Sequence, residues 1–203
     1  MADQFISIDA EPLIKVVEGL NEFPQQILPA MVSAVNRTLD TTVTQIKREV
    51  ASEYTVKQKD ITKSIKKTRA TKTRLSAVAI ASGGQVALYK FRHSPTNPPP
   101  KQRYKQPVKA QVKKNGSKKT VIYKSNKAFV QTVHGNNMIF VREGRKRLPI
   151  KKLFALSVPQ MIADKNDSKG SIVRIQARAQ EMLEKRVNQE ITYRLNKIKG
   201  GGS

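Results

Sequence analysis

"FPQQILPAMVSAVNRTLDTTVTQIKREVASEY", from Phe23 to Tyr54, is the stretch on which the fold turns. Its apolar positions are Ile27 or Leu28, Met31 or Val32, Val35, Leu39, Val43 (or Thr42), Ile46 and Val50. Steps of three and four residues put these side chains on one face of a helix. Pro24 and Pro29 place its start near residue 25 to 30, because proline is tolerated only in a first turn. The spacing predicts one long amphipathic helix.

A second such helix is expected at the other end of the chain. "SIVRIQARAQEMLEKRVNQEITYRLNKIK" (171–199) has neither Pro nor Gly. Ile172, Ile175, Ala179, Leu183, Val187, Ile191, Leu195 and Ile198 form its stripe, and Gly200 ends it. Asp164, Asp167 and Ser168 lie just before it as candidate caps. Before the first helix, Phe5, Ile6 and Ile8 alternate. Leu13, Val16, Val17 and Leu20 then read as a short helix.

Between the long helices the pattern changes. "VKQKDITKSIKKTRATKTRL" (56–75) carries Val56, Ile61 and Ile65 on a short basic helix. "RLSAVAIASGGQVALYKF" (74–91) reads as two strands joined at Gly83-Gly84. "RHSPTNPPPKQRYKQP" (92–107) is an irregular arm, since five prolines in sixteen positions oppose helix and ladder alike. "VKAQVKKNGSKKTVIYK" (108–124) predicts a hairpin with a type I′ turn at Asn115-Gly116. "AFVQTVHGNNMIFVREG" (128–144) predicts another, turning at Gly135-Asn136-Asn137 and pairing Val130 and Val133 with Ile139 and Val141. The expected fold is α+β: two long amphipathic helices flank a small antiparallel meander sheet that carries an extended, basic, Pro-rich arm. A single domain over 1–199 and a Gly-rich tail over 200–203 complete the expectation.

Composition narrows the function. Apolar residues are 38% of the 203, and there is no Trp. That is thin for one large core, and suits helices and arms that share burial with neighbours. The 39 Lys and Arg against 15 Asp and Glu give +24, which implies a polyanionic or acidic partner. The absence of Cys excludes disulfides, Cys-bearing zinc sites and thiol chemistry, and makes the reducing cytoplasm the natural place of synthesis. "MADQFISIDAEPL" is no signal peptide, and no stretch reaches the ~18 apolar residues of a membrane helix.

No catalytic signature emerges, and no cofactor or metal site is expected. His93 and His134 sit in turn-like contexts without a nucleophile elbow. Capping explains Asp164 and Asp167 more simply than a metal does. Gly83-Gly84 lacks the pattern of a phosphate loop. The basic clusters are the signal. One runs through Lys63, Lys66, Lys67, Arg69, Lys72 and Arg74. A second runs through Lys101, Arg103, Lys105, Lys109, Lys113, Lys114, Lys118 and Lys119. They suit a phosphate backbone or acidic neighbours, and without a base-reading motif any nucleic-acid contact is sequence-independent.

The third cluster lies in "VREGRKRLPIKKLFALSVPQMI" (141–162). Arg142, Arg145, Lys146, Arg147, Lys151 and Lys152 are the candidate contacts to a partner or to DNA. X-Pro pairs at Pro149 and Pro159 favour an extended chain. Leu153, Phe154 and Leu156 offer an apolar edge. Leu148, Pro149, Ile150, Phe154 and Pro159 are the candidate docking or packing residues.

"RLPIKKLFALSVPQMI", preceded by "FVREG", resembles the minor tail protein Z family of long-tailed bacteriophages and prophages. "AVNRT" (34–38) and "IKKTRAT" (65–71) fit as well, and the order of elements fits over roughly 15 to 198. Where family members often carry Gly-Pro before the serine, this chain has Ala155-Leu156. The Pro-rich arm around 95–100 also departs from the family. The resemblance implies a virion structural protein, not an enzyme, that completes the head-proximal end of the tail near terminator and connector proteins. It also implies a homo-oligomeric, sixfold ring and a place close to the genome's end. The alternative is a free-standing, non-specific nucleic-acid-binding protein.

Overall fold

Two long helical runs, the first opened by Pro24 and the second free of proline, and a set of short alternating segments give the chain its elements. In a computed structural model, which describes residues 3–10, 24–99, 107–163 and 171–200, the order begins β1 (Gln4–Asp9), α1 (Pro24–Glu53), α2 (Gln58–Thr62), β2 (Ile65–Thr68), β3 (Ser76–Ala81) and β4 (Gln85–Ala87). A 3-10 turn (Leu88–Lys90) leads to β5 (Arg92–Ser94), β6 (Lys109–Gln111), β7 (Lys119–Thr120), β8 (Ile122–Tyr123) and β9 (Asn126–Lys127). Then come β10 (Phe129–Val133), β11 (Asn136–Arg142), β12 (Ile150–Lys152), β13 (Phe154–Ser157), α3 (Val158–Ile162) and α4 (Ser171–Gly200). The fold is mixed α and β, and every strand pair described is antiparallel.

The contacts group into two compact units: 1–47 with 64–82 and 162–203, and 48–63 with 83–161. No single cut in the sequence separates them. The first holds the sheet β1-β3-β2 and α4. Along α1, Ala30, Met31, Ala34, Val35, Leu39, Val43 and Ile46 are buried, as the periodicity predicts. Thr38 and Thr42 are buried too, and Thr38 closes its hydroxyl onto Ala34 O at 2.8 Å. The stripe of α4 is buried at Ile175, Ala179, Leu183 and Val187. The two helices run antiparallel, because Arg37 meets Glu190 at 2.5 Å and Arg186 donates to Thr41 Oγ1 at 2.9 Å. On the sheet, Ile6, Ile8, Ala77, Ala79 and Ala81 face inward.

The second unit is β-rich, with sheets ordered β5-β6-β7, β8-β9, β10-β11-β12 and β13-β4. Leu153 ties the last two, since its N–H donates to Ile139 O at 3.0 Å and its carbonyl accepts from Leu88 N at 2.9 Å. Val130, Ile139, Val141, Val108 and Tyr54 fill the interior.

Several expectations need correction. The strands do not form one meander flanked by helices; among the described residues they make five small sheets. β3 and β4 are not a hairpin: β3 already has β1 and β2 on its two edges, and β4 pairs with β13. Gly83, with φ at 128°, carries the chain from one unit into the other. The basic helix shortens to α2, and Ile65 opens β2 instead. Residues 92–94, expected in the irregular arm, are a strand on β6. Asn115-Gly116 lies in a turn closed by Gly116 N to Lys113 O at 3.2 Å, and neither residue has the positive φ of type I′. That geometry occurs instead at Lys124-Ser125 (φ 45° and 64°) and at His134-Gly135 (φ 48° and 73°). Val130 does pair with Ile139, but Val133 faces Asn136, and Val141 faces Lys151. The expected helix at Leu13 to Leu20, the caps Asp164, Asp167 and Ser168, and the centre of the Pro-rich arm (100–106) lie outside the described residues.

Candidate functional site

The motifs singled out in the sequence hold particular joints. Asn36 accepts from Ala70 N–H at 2.9 Å and donates to Ala70 O at 3.1 Å, so "AVNRT" and "IKKTRAT" meet through one amide. Asp40, one turn on, accepts from Lys67 at 2.7 Å and Arg69 at 2.9 Å. The Lys67 hydrogen bond, opposed by partial burial and aided by Arg69, holds the Asp40 carboxyl below its usual range. "SVPQ" is a capping box. Ser157 N–H donates to Gln160 Oε1 at 2.9 Å, and Gln160 N–H reaches Ser157 Oγ at 3.4 Å. Pro159 is buried in the first turn of α3, where its missing N–H costs nothing. Ala155-Leu156 lie in β13 at a register irregularity against β4.

The six basic candidates of 141–152 divide into two sets. Arg142, at the end of β11, lies over the Phe129 ring at 5.2 Å and donates to Arg147 O. Lys151 lies over Tyr123 at 5.3 Å, and Lys152 is 5.4 Å from the Tyr89 ring and 5.5 Å from that of Phe154. Each such contact is worth roughly 0.5–1 kcal/mol at a partly exposed site. Arg145, Lys146 and Arg147 project from the loop 143–149, whose base is closed by Glu143 N to Pro149 O at 3.2 Å. Asn126 braces that base by donating to Arg142 O at 3.0 Å. These three side chains are exposed and make no ion pair among the described residues. Leu148 is 66% exposed and Phe154 48%, whereas Ile150 is half-buried opposite Arg142. Pro149 is exposed beside Leu148.

A second basic feature was not legible in local density. An open groove of about 970 Å³ is lined by Lys57, Lys59, Lys63, Lys90, Arg92 and Lys114. Its one carboxylate, Asp60, already pairs with Lys90 at 2.8 Å. Thr55 holds the walls together. Its hydroxyl donates to Gln111 O at 2.5 Å and accepts from Arg92 N–H at 3.0 Å, while its own N–H donates to Val112 O at 3.0 Å. His93 stands on one wall with Nδ1 on Phe91 O at 2.8 Å, and its Nε2 is buried without a partner. The groove draws on four separated stretches (55–63, 89–96, 111–114 and Asn136), and a window sliding along the chain never sees them together.

Charge is divided unequally. The second unit has 22 Lys and Arg against four Asp and Glu, a net of +18; the first has 17 against 11, a net of +6. Of the first expected cluster, Lys67 and Arg69 are drawn onto Asp40, Arg74 donates to Arg69 O at 3.2 Å, Lys63 lines the groove, and Lys66 and Lys72 stay exposed. Lys109, Lys114, Lys118 and Lys119 stay exposed, and Lys113 lies over Tyr54 at 5.7 Å. Lys101, Arg103 and Lys105 lie outside the described residues. Among the described residues no group of three His, Asp or Glu side chains is placed to hold a metal, and no helix is long and apolar enough to cross a membrane.

A family model described as prophage minor tail protein Z (GPZ) matches residues 12–199. Comparison with curated proteins and with solved structures gives no match.

Proposed function

This chain belongs to the prophage minor tail protein Z family, and from that membership we propose that it completes the head-proximal end of a bacteriophage tail. It is a phage tail structural protein and so a component of the virion. In the proposed role it assembles as a ring, six copies matching the symmetry of such tails, between terminator and connector proteins. The observation that carries the reading is a family match over nearly the whole chain, in which the motif residues Asn36 and Ser157 hold structural joints. A structural subunit needs no catalytic constellation.

The loop 143–149 is the proposed docking element. Its closed base presents Arg145, Lys146, Arg147 and the exposed Leu148 and Pro149 on a fixed stalk. Exposed apolar side chains at the foot of a basic loop have the make-up of a protein interface: an apolar anchor for affinity and charges for steering. Arg142, Lys151 and Lys152 support that surface from rings beneath it. The charge of the second unit also suits contact with the end of the genome, and it favours the alternative of a free-standing nucleic-acid binder.

Mass spectrometry of nuclease-treated virions, with copy number, separates the two. About six copies per particle is the expected result. A protein missing from particles and recovered on nucleic acid in infected cells overturns the tail reading.

A further inference from the structure

We propose that the groove of the second unit is a track for the phosphodiester backbone of duplex DNA. The inference deepens the genome contact suggested above and rests on that reading only for the identity of the polyanion.

The lining is charge without an apolar anchor. Lys57, Lys59, Lys63, Arg92 and Lys114 are exposed and make no ion pair among the described residues; Lys90 alone is neutralised, by Asp60. An acidic protein partner needs a desolvated apolar centre as well as charge. The exposed apolar side chains of this unit, Ile122, Leu148 and Phe154, are not in the lining. The groove's two aromatics are not stacking platforms either. Phe91 is 3% exposed, and the Tyr89 ring is covered by the Lys152 ammonium at 5.4 Å. Single-strand binding draws on bare rings that take bases, so the surface fits phosphates of a duplex better than unstacked bases. At about 970 Å³ the space is many times that of one phosphate, which suits a polymer rather than a single anion. The walls are also fixed in advance: Thr55 joins Gln111 and Arg92, so the cations from three chain segments converge without a folding step.

The test measures binding of the full chain to a fluorescent DNA duplex of arbitrary sequence, by anisotropy, over a salt series. Five phosphate contacts predict a log-log slope of about −4.5. The variant Lys59→Glu, Lys63→Glu, Lys114→Glu is compared with Arg178→Glu, Lys185→Glu, Lys197→Glu, an equal charge change on exposed positions of α4. The groove variant is expected to lose at least about tenfold in affinity and to flatten the slope by about 3, against a loss under about threefold for the α4 variant. Equal losses in the two overturn the proposal, because net charge alone then explains binding. So does an unchanged groove variant. Poly-glutamate that competes as well as unlabelled duplex, charge for charge, overturns it in favour of an acidic protein. Should the groove variant not fold, the Lys→Gln triple, which removes the same three cations, is measured with the same expected slope change of about 3. Virion content is independent of this assay, so failure of the groove and failure of the tail reading are told apart.

Discussion

The two units of this chain use positive charge in different ways. In the first, cations are tied to acids that share the fold: Arg37 to Glu190, Lys67 and Arg69 to Asp40. In the second, four carboxylates serve 22 cations, and aromatic rings take over the carboxylates' part. Lys113, Lys124, Arg142, Lys151 and Lys152 all lie over rings, and eight of the eleven Phe and Tyr are in this unit. A ring holds a cation in place without cancelling its charge. The first unit thus uses its charges to hold itself together, and the second keeps its field available to others.

The largest expected effect tests that contrast on function. Arg145→Glu with Arg147→Glu changes exposed side chains that bond to nothing described, so unfolding free energy should stay within about 0.5 kcal/mol. Incorporation into tails should be lost. Particles of normal yield and infectivity would mean that the loop is not the docking element. The opposite pattern is expected of Leu39→Ala in the first unit. Leu39 is fully buried, and its truncation should cost about 3 kcal/mol in a urea titration. A cost under about 1 kcal/mol would mean that this stretch of α1 is not packed as described.

The contrast was half legible in the sequence. The long helices were readable because a period of 3.6 is a local property; proline marked the start of the first and Gly200 the end of the second, although Pro29, expected in a first turn, lies inside α1. Strand partners were not. Alternation announces that Ala77, Ala79 and Ala81 share a face, but not that β1 and β2 occupy both edges of β3. The turns misled for a related reason. Asn-Gly is the commonest type I′ pair, yet here Lys124-Ser125 and His134-Gly135 adopt that geometry. The basic loop was visible as a cluster. The groove was not, since what joins Lys59, Arg92 and Lys114 is the Thr55 hydroxyl. Within "SVPQ" only Pro159 was singled out, as a docking or packing residue, and a serine three residues before a glutamine could have revealed the capping box directly.

Two smaller effects sharpen the comparison. Asn36→Ala removes both bonds to Ala70, a residue 5% exposed, and leaves its N–H without an acceptor. A loss of about 2 kcal/mol is expected in thermal or urea unfolding. Ser157→Ala, in the second unit, breaks the capping box and should cost about 1 kcal/mol. If Asn36→Ala proves the milder of the two, the "AVNRT" joint is not the tertiary tie that its geometry describes.

The smallest effect concerns acid. Asp40 has its carboxyl pKa lowered from 3.8, first by the Lys67 hydrogen bond. A group whose folded pKa is depressed stabilises the fold fully above its unfolded value, and that contribution disappears as pH falls through the lowered folded value. The window therefore lies below about pH 4. Asp40 is 43% exposed, so solvent screens the pair and the whole contribution stays under about 1 kcal/mol. Asp40→Asn should leave a slightly less stable protein at pH 7 whose stability falls less steeply below pH 4 than the parent's. The second unit, with four carboxylates among 22 cations, has few acids of its own to titrate. The DNA affinity of the Asp40→Asn protein should accordingly match the parent's at pH 7. A changed affinity would show that charge pairing at Asp40 and the field of the second unit are not separate properties, and the division drawn between the two units would fail.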